Sequence, residues 1–287
     1  MRILIVGGDG MLGHQLLRSF RARHDVRVTL RQDRAAYSGY SLFSECKPYF
    51  GVDAREYTRM LEVVGDFQPD AIVNCVGVVK QRAEAKASIP SLEINALLPH
   101  RLALLARAAG CRLVHLSTDC VFSGREGAYT EDHVPDAEDL YGRSKLLGEV
   151  DTPGCITLRT SIIGLELKQK TSLVEWFIAQ KGKKVKGFCG AIYSGFTTME
   201  MARIIESLLV EHPQAHGLYH VSSEPISKYE LLLKINNCMN LNIEVEPEDE
   251  FRCDRSLDSA RFRSEFGYRP PTWDEMADEL GKEYRRD

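Results

Sequence analysis

The sequence predicts a doubly wound α/β fold, a parallel sheet with helices on both faces, followed by a smaller C-terminal α/β lobe. Three observations predict it. The runs RILIV (2–6), AIVNCV (71–76) and RLVHLS (112–117) are apolar almost throughout, as in strands buried on both faces. Helical patterns separate these runs, and strand–helix alternation specifies parallel strands joined by crossover helices. A glycine-rich turn follows the first run and opens the first helix, the arrangement that makes the fold Rossmann-like.

The elements follow in order. MLGHQLLRSFRAR (11–23) carries apolar residues at helical spacing, and VRVTL (26–30) reads as the second strand. A Tyr- and Ser-rich irregular stretch (36–49) precedes the helix REYTRMLEVVGDF (55–67), and a long helix is expected near 90–109. After about residue 165 the rhythm changes. QKGKKVKG (180–187) reads as a solvated loop or strand edge. Helices are expected at 197–211, 228–239 and 272–284, separated by the short strands GLYHVS and IEVE. The expected division is a dinucleotide-binding domain at 1–165 and a substrate-binding lobe at 166–287, sharing one core.

Composition narrows the function classes. The 287 residues suffice for a sizeable core, and 44% hydrophobic with 27% charged residues is ordinary for a globular protein. A net charge of −4 argues against a nucleic-acid binder, which needs a basic face. The four-residue apolar run Ile3-Leu4-Ile5-Val6 is too short for a signal peptide or a membrane span. The eight cysteines show neither C-x-x-C nor metal spacing, so a reduced, cytoplasmic chain with no metal and no membrane partner is expected.

Gly7, Gly10 and Gly13 form G-x-x-G-x-x-G, with Met11 and Leu12 beginning the helix. Such a turn brings backbone close to a pyrophosphate and aims a helix N-terminus at the anion. At the end of the second strand a carboxylate would select NAD, whereas Arg would accept the 2′-phosphate of NADP. Here Arg31 follows the strand, with Arg34 beyond it, so NADPH is expected and NADH is the alternative. Both arginines could instead be solvated. Asp53 could cap the next helix or accept from the adenine amino group. Asn74 and Gly77 stand at a strand C-terminus, where ligands bind in this architecture.

Ser117-Thr118-Asp119-Cys120 ends another strand, and Tyr141-Gly142-Arg143-Ser144-Lys145 follows a polar loop. At i and i+4, Tyr141 and Lys145 share a helix face. A neighbouring ammonium favours the phenolate and fits Tyr141 for acid–base work, while Thr118 would hold a substrate oxygen. Lys80 lies past a strand end and could touch a diphosphate or stand in solvent. Arg252 and Arg255 offer forked donors for phosphate, or could pair with the acidic run 246–250. Asp119 could meet a sugar or satisfy loop amides. His115 reads as core, and Trp176 as packing.

The motifs GGDGMLG (7–13), STDCVFSG (117–124), YGRSKLLGE (141–149), LRTSIIG (158–164), GLYHVSSEPISKYE (217–230) and LDSARFRSEFGYRPPTW (257–273) run almost end to end. On these residues the chain resembles the extended short-chain dehydrogenase/reductases, and within them the dTDP-4-dehydrorhamnose reductase-like branch. The resemblance implies hydride transfer from NADPH to the 4-keto group of a nucleotide-linked 4-keto-6-deoxysugar, in deoxysugar synthesis for surface polysaccharide. It implies that Thr118, Tyr141 and Lys145 form the catalytic trio, and that a homodimer is compatible. The family's usual Tyr is replaced by Cys120, its aromatic by Ile162, and its Ala-Ala-Tyr-Thr by Cys75-Val76-Gly77-Val78. These departures point to a rebuilt sugar wall, with a UDP-linked 2-acetamido-2,6-dideoxy-4-ketohexose as a fitting substrate. Two alternatives remain open: an epimerase–reductase using Cys120, and a non-catalytic NADP-binding regulatory subunit.

Overall fold

The computed structural model describes residues 1–79 and 87–286, so Lys80 lies outside the described residues. The chain divides into two compact units interleaved in sequence. The first comprises Met1–Ser117, Asp139–Leu158 and Met201–Leu218, and the second Thr118–Glu138, Arg159–Glu200 and Tyr219–Asp287. A single boundary near 165 follows the sequence rhythm, whereas compactness follows several crossings of the chain.

The first unit begins β1 (Arg2–Val6), α1 (Met11–Phe20), β2 (Asp25–Thr29), α2 (Tyr57–Phe67) and β3 (Ala71–Asn74). Next come α3 (Ser88–Ser91), a π-helical segment (Leu92–Leu97), α4 (Leu98–Ala109), β4 (Arg112–Leu116) and α5 (Leu140–Leu147). The expected long helix near 90–109 is therefore present, running without interruption from Ser88 to Ala109 with a π-helical turn inside it. β5 (Cys155–Arg159) continues the sheet. Along the chain follow β6 (Ile162–Ile163), α6 (Leu173–Ile178), β7 (Lys184–Tyr193), β8 (Phe196–Thr197), α7 (Thr198–Val210) and β9 (Gly217–His220). The last elements are β10 (Ile226–Ser227), α8 (Lys228–Met239), β11 (Glu244–Asp254), α9 (Ala260–Phe266) and α10 (Trp273–Tyr284).

The main sheet has the order β2-β1-β3-β4-β5-β9. β1 pairs in parallel with both β2 and β3, and β4 continues in parallel to β5. Strand order reverses at β1, so the carboxyl ends of β1 and β3 flank the switch point where ligands bind in open α/β sheets. Ile3, Leu4, Ile5, Ile72, Val73, Leu113 and Val114 have no solvent exposure, which explains why these strands read as continuous apolar runs. One side of the sheet packs Leu4, Val6, Ile72 and Leu113 against Met60 and Val64 of α2 and Leu98 and Leu102 of α4.

The second unit holds a three-stranded sheet, β10-β7-β11, and the parallel pair β6-β8. The Lys-rich segment is a turn through 180–183 that enters β7 at Lys184, with Lys181, Lys183, Lys184 and Lys186 exposed, although β7 is the central strand. The strand expected at IEVE runs on through the acidic residues to Asp254, with a register shift between Glu248 and Arg252. β11 is an edge strand, and Pro247 with its carboxylates is tolerated where one side lacks a partner strand. Lys184 Nζ bridges Glu244 at 3.0 Å and Glu246 at 2.9 Å. Helices α8 and α10 both start with a complete capping box, from Ser227 with Glu230 and Thr272 with Glu275. Trp176 also departs from its reading as packing, since it is 41% exposed on α6.

Helix α5 approaches the π-helical segment closely enough that only glycine fits at its end. A Cβ at Gly148 would stand 1.9 Å from the Asn95 carbonyl oxygen, a backbone atom that cannot swing aside. Gly148→Ala is expected to lower unfolding stability by about 1–3 kcal/mol, as overpacking does. Urea denaturation checks this, and an unchanged midpoint would show that the two segments separate freely.

Candidate functional site

The glycine turn is built by sterics at two of its residues. Gly7 adopts φ +88, and its amide donates to Thr29 Oγ1 at 3.1 Å. A Cβ at Gly13 would lie 2.1 Å from the Gly7 carbonyl oxygen, so α1 rests directly on the turn. Gly10 differs: at φ −75 its added Cβ would meet nothing closer than 3.5 Å. The protein itself therefore leaves space at Gly10. No side chain caps α1 at Gly10, and the first turn, containing Met11 and Leu12, carries no acidic residue. Its positive dipole end and the amides of that first turn suit an anion.

Beyond β2, Arg31 and Arg34 are exposed, and the Arg34 guanidinium lies 5.4 Å from the centroid of the Phe50 ring. Asp53 does not cap α2, which begins at Tyr57 after Glu56. Its carboxylate instead holds Arg55, with Arg55 Nη2 2.6 Å from Oδ2, and that bond keeps Asp53 below the usual carboxylate range.

At the end of β3, the buried Asn74 side chain contacts His115 Nδ1 at 3.1 Å and accepts from the Val76 amide at 3.2 Å. Burial, with Lys145 nearby, pushes His115 well below its ordinary value, so it is a neutral core residue as expected. The following turn meets the glycine turn: a Cβ on Gly7 would stand 2.7 Å from Val76 Cγ2. Past Gly77, Asn95 grips Val78 at both backbone atoms. Its Oδ1 accepts from the amide at 2.8 Å and its Nδ2 donates to the carbonyl at 3.0 Å. The same Nδ2 donates to Ser144 Oγ at 3.1 Å, and Ser144 Oγ donates to the Tyr141 carbonyl at 3.0 Å.

Helix α5 starts at Asp139, whose carboxylate accepts from the Gly142 amide at 2.8 Å. Tyr141 and Lys145 lie one turn apart on it. Lys145 is only 5% exposed and its Nζ donates to the Leu116 carbonyl at 2.5 Å, at the end of β4. Burial pushes Lys145 down to about 8, against the opposing pull of Glu149. Ser117 Oγ donates to Glu149 Oε1 at 2.6 Å, which fixes that carboxylate.

The remaining candidates belong to the second unit. Thr118 Oγ1 donates to Asp119 Oδ1 at 3.0 Å and accepts from the Cys120 amide at 3.1 Å. Asp119 is buried, and burial raises it despite the Thr118 bond and nearby Arg255 and Lys228. Arg255 donates to the carbonyls of Phe122 at 2.8 Å and Ser123 at 3.1 Å, a hold on the loop that its sequence did not announce. Arg252 lies on β11 opposite Gly190, and Ile162 is half-buried on β6 opposite Phe196.

The first unit thus brings together the glycine turn, Asn74, Gly77 and α5. Asn95 and Ser144 make that connection and were missed from sequence. Their signal was faint: Asn95 is a lone amide in the apolar run LEINALL, where polar residues usually face solvent. Asn95→Ala is expected to leave the Val78 amide and carbonyl unpaired, at a cost on the order of 3 kcal/mol. Hydrogen exchange should show the Val78 amide losing protection before the β3 amides do. Equal protection in both forms would contradict this connection.

The family model described as RmlD substrate binding domain matches residues 1–286. A structure titled as a hypothetical dTDP-4-dehydrorhamnose reductase from Sulfolobus tokodaii is 30% identical, with a TM-score of 0.75 over 92% of this chain and 94% of that one. The dTDP-4-dehydrorhamnose reductase from Bacillus anthracis, solved in complex with NADP, is 23% identical, with a TM-score of 0.81 over 98% and 99%. Methionine adenosyltransferase 2 subunit beta from Danio rerio is 26% identical over 255 residues, 84% of this chain and 74% of that protein. With a whole-length family match and a 30% identical relative of nearly equal span, the chain belongs to the RmlD substrate binding domain family.

Proposed function

We propose that this chain is an NADPH-dependent reductase acting on the 4-keto group of a nucleotide-linked 4-keto-6-deoxysugar, with NADH as the alternative donor. The observation that carries the reading is the α5 pair: Tyr141, with Lys145 buried one turn later and tied to the end of β4. The relatives that share this architecture include a reductase solved with NADP.

The residues present fit such a cofactor. The protein's own packing does not demand glycine at Gly10, which stands at the start of α1. The turn at Gly7, Gly10, Met11, Leu12 and Gly13 would hold the pyrophosphate. Arg31 and Arg34 would hold the 2′-phosphate, Asp53 the adenine edge, and Asn74 and Gly77 the wall beside the ring. When bound, the nicotinamide supplies the hydride.

The chain's own part is to orient the sugar and deliver a proton. The Tyr141 hydroxyl gives its proton to the carbonyl oxygen as that oxygen gains charge. The Lys145 ammonium would stabilise the resulting phenolate and help hold the cofactor's ribose. Thr118 would hold a substrate oxygen by giving it the hydroxyl proton that it now donates to Asp119. Lys80, Asp119, Cys120, Ile162, Arg252 and Arg255 are assigned to the substrate side. Since Cys120 and Ile162 replace aromatic residues of the branch, a UDP-linked acetamido sugar fits the reading alongside the dTDP-linked one. All eight cysteines are free, which supports a reducing, cytoplasmic setting.

A second reading, an NADP-binding regulatory subunit, is favoured by the relatives named methionine adenosyltransferase 2 subunit beta. Turnover of NADPH against dTDP- and UDP-linked 4-keto-6-deoxysugars separates the two. Tyr141→Phe is expected to cut that turnover by roughly 10²–10⁴-fold while leaving the NADPH dissociation constant within about twofold. Undiminished turnover in the variant would refute the assigned role, and absence of turnover with every sugar would favour the regulatory reading.

The pH dependence follows from Lys145. Its value is depressed to about 8, so its ammonium is present below that pH and lost above it. Activity that needs the ammonium is expected to fall as pH rises through about 8 in a kcat/KM profile, and a flat profile to pH 10 would contradict it. The stability sign is opposite. Burying the ammonium opposes folding below about 8, and the opposition fades as pH rises toward the unfolded value near ~10.4.

A further inference from the structure

The loop that follows β2 is joined to the glycine turn through one phenol. Tyr37 Oη donates to Asp9 Oδ2 at 2.9 Å, and the Gln32 amide donates to the same hydroxyl at 3.4 Å. Asp9 stands between Gly8 and Gly10, and Gln32 directly follows Arg31. The phenol therefore connects the turn assigned to the pyrophosphate with the turn assigned to the 2′-phosphate.

This connection is built into the fold. Tyr37 is 3% exposed, with Phe43 edge-on at 5.4 Å and Phe50 tilted at 5.9 Å between ring centroids. Phe50 in turn carries the Arg34 guanidinium. Its neighbours are fixed by backbone bonds: Leu30 donates to Tyr49 at 2.8 Å, Gly51 to Gln32 at 3.0 Å and Val52 to Leu30 at 3.0 Å. Both arginines thus sit on a framework that Tyr37 supports from beneath.

Asp9 gives the arrangement a purpose beyond packing. A carboxylate within a turn that receives an anion repels it unless its charge is engaged. Burial and the Asp9 charge both raise Tyr37, so it remains a protonated donor at working pH.

We propose that Tyr37 is a specificity-determining positioning residue. By fixing Asp9 and Gln32, and by backing the Phe50–Arg34 stack, it preforms the grip on a dinucleotide bearing a 2′-phosphate. The inference rests on the NADPH reading and names a residue through which the two arginines act.

Dissociation constants for NADPH and NADH, measured by fluorescence titration of the full chain, test it. Arg31→Ala is expected to weaken NADPH about tenfold and NADH less than about twofold. Tyr37→Phe, which keeps the packed ring, should weaken NADPH about five- to tenfold more than NADH, on top of any loss the two share from the released Asp9 carboxylate. The double variant should lose less than the product of the two, because both act on one grip. Asp9→Asn, which retains an acceptor, should preserve the NADPH-to-NADH ratio, and Asp9→Ala should lower it. If Arg31→Ala is selective while Tyr37→Phe weakens both cofactors equally or neither, the inference is overturned and the NADPH reading stands. If Arg31→Ala shows no selectivity, the NADPH reading fails and carries the inference with it.

Discussion

A single buried amide joins the parts of the first unit that the proposed chemistry needs. Asn95 spends both ends of its side chain, two bonds on the Val78 backbone and one on Ser144 of α5. The turn beyond β3 in turn touches the glycine turn through Val76. Displacing the amide would leave several buried polar groups unpaired at once, so the arrangement has one low-energy form. The π-helical segment is the local cost of this placement, since π-helical turns are rare and concentrate at functional positions. Gly148 completes it by letting α5 touch the segment backbone to backbone.

From that anchor the electrostatics of α5 follow. Lys145 is taken out of water by the same packing, and its ammonium finds the Leu116 carbonyl and the field of Glu149. A depressed lysine gives up its proton more readily than a free one and stays close to neutral pH. The glycine turn depends on geometry more than on charge. Gly7 and Gly13 are required by the protein, while the space at Gly10 is left open.

Much of the fold was legible because burial on both faces writes itself into continuous apolar runs, as at Ile3-Leu4-Ile5-Val6 and Ala71-Ile72-Val73. The helices α8 and α10, expected at 228–239 and 272–284, were equally local. What stayed hidden depends on distant partners. The π-helical turn at Leu92–Leu97 holds Asn95, whose partners lie 17 and 49 positions away. Only the start of β11, at IEVE, was legible as a strand, because an exposed edge strand need not alternate beyond it. Tyr37 lies 28 residues from Asp9, in a stretch that sequence marks only as irregular. Of the candidate residues, the glycine turn, Asn74 and the α5 pair were legible as motifs. The engagement of Asp53 by Arg55, and of Arg255 by loop carbonyls, was not.

The family's chemistry and this chain's substrate preference are separable. The motif residues Thr118, Tyr141 and Lys145 are all present, whereas Cys120 and Ile162 alter positions assigned to the sugar. The most direct measurement is isotopic. The chain is incubated with 4-deuterated NADPH of defined stereochemistry and a nucleotide-linked 4-keto-6-deoxysugar, and the sugar product is examined by NMR. The account predicts deuterium on the carbon that was the ketone, in proportion to cofactor consumed. Cofactor that binds yet yields no deuterated sugar from any dTDP- or UDP-linked ketosugar would contradict it.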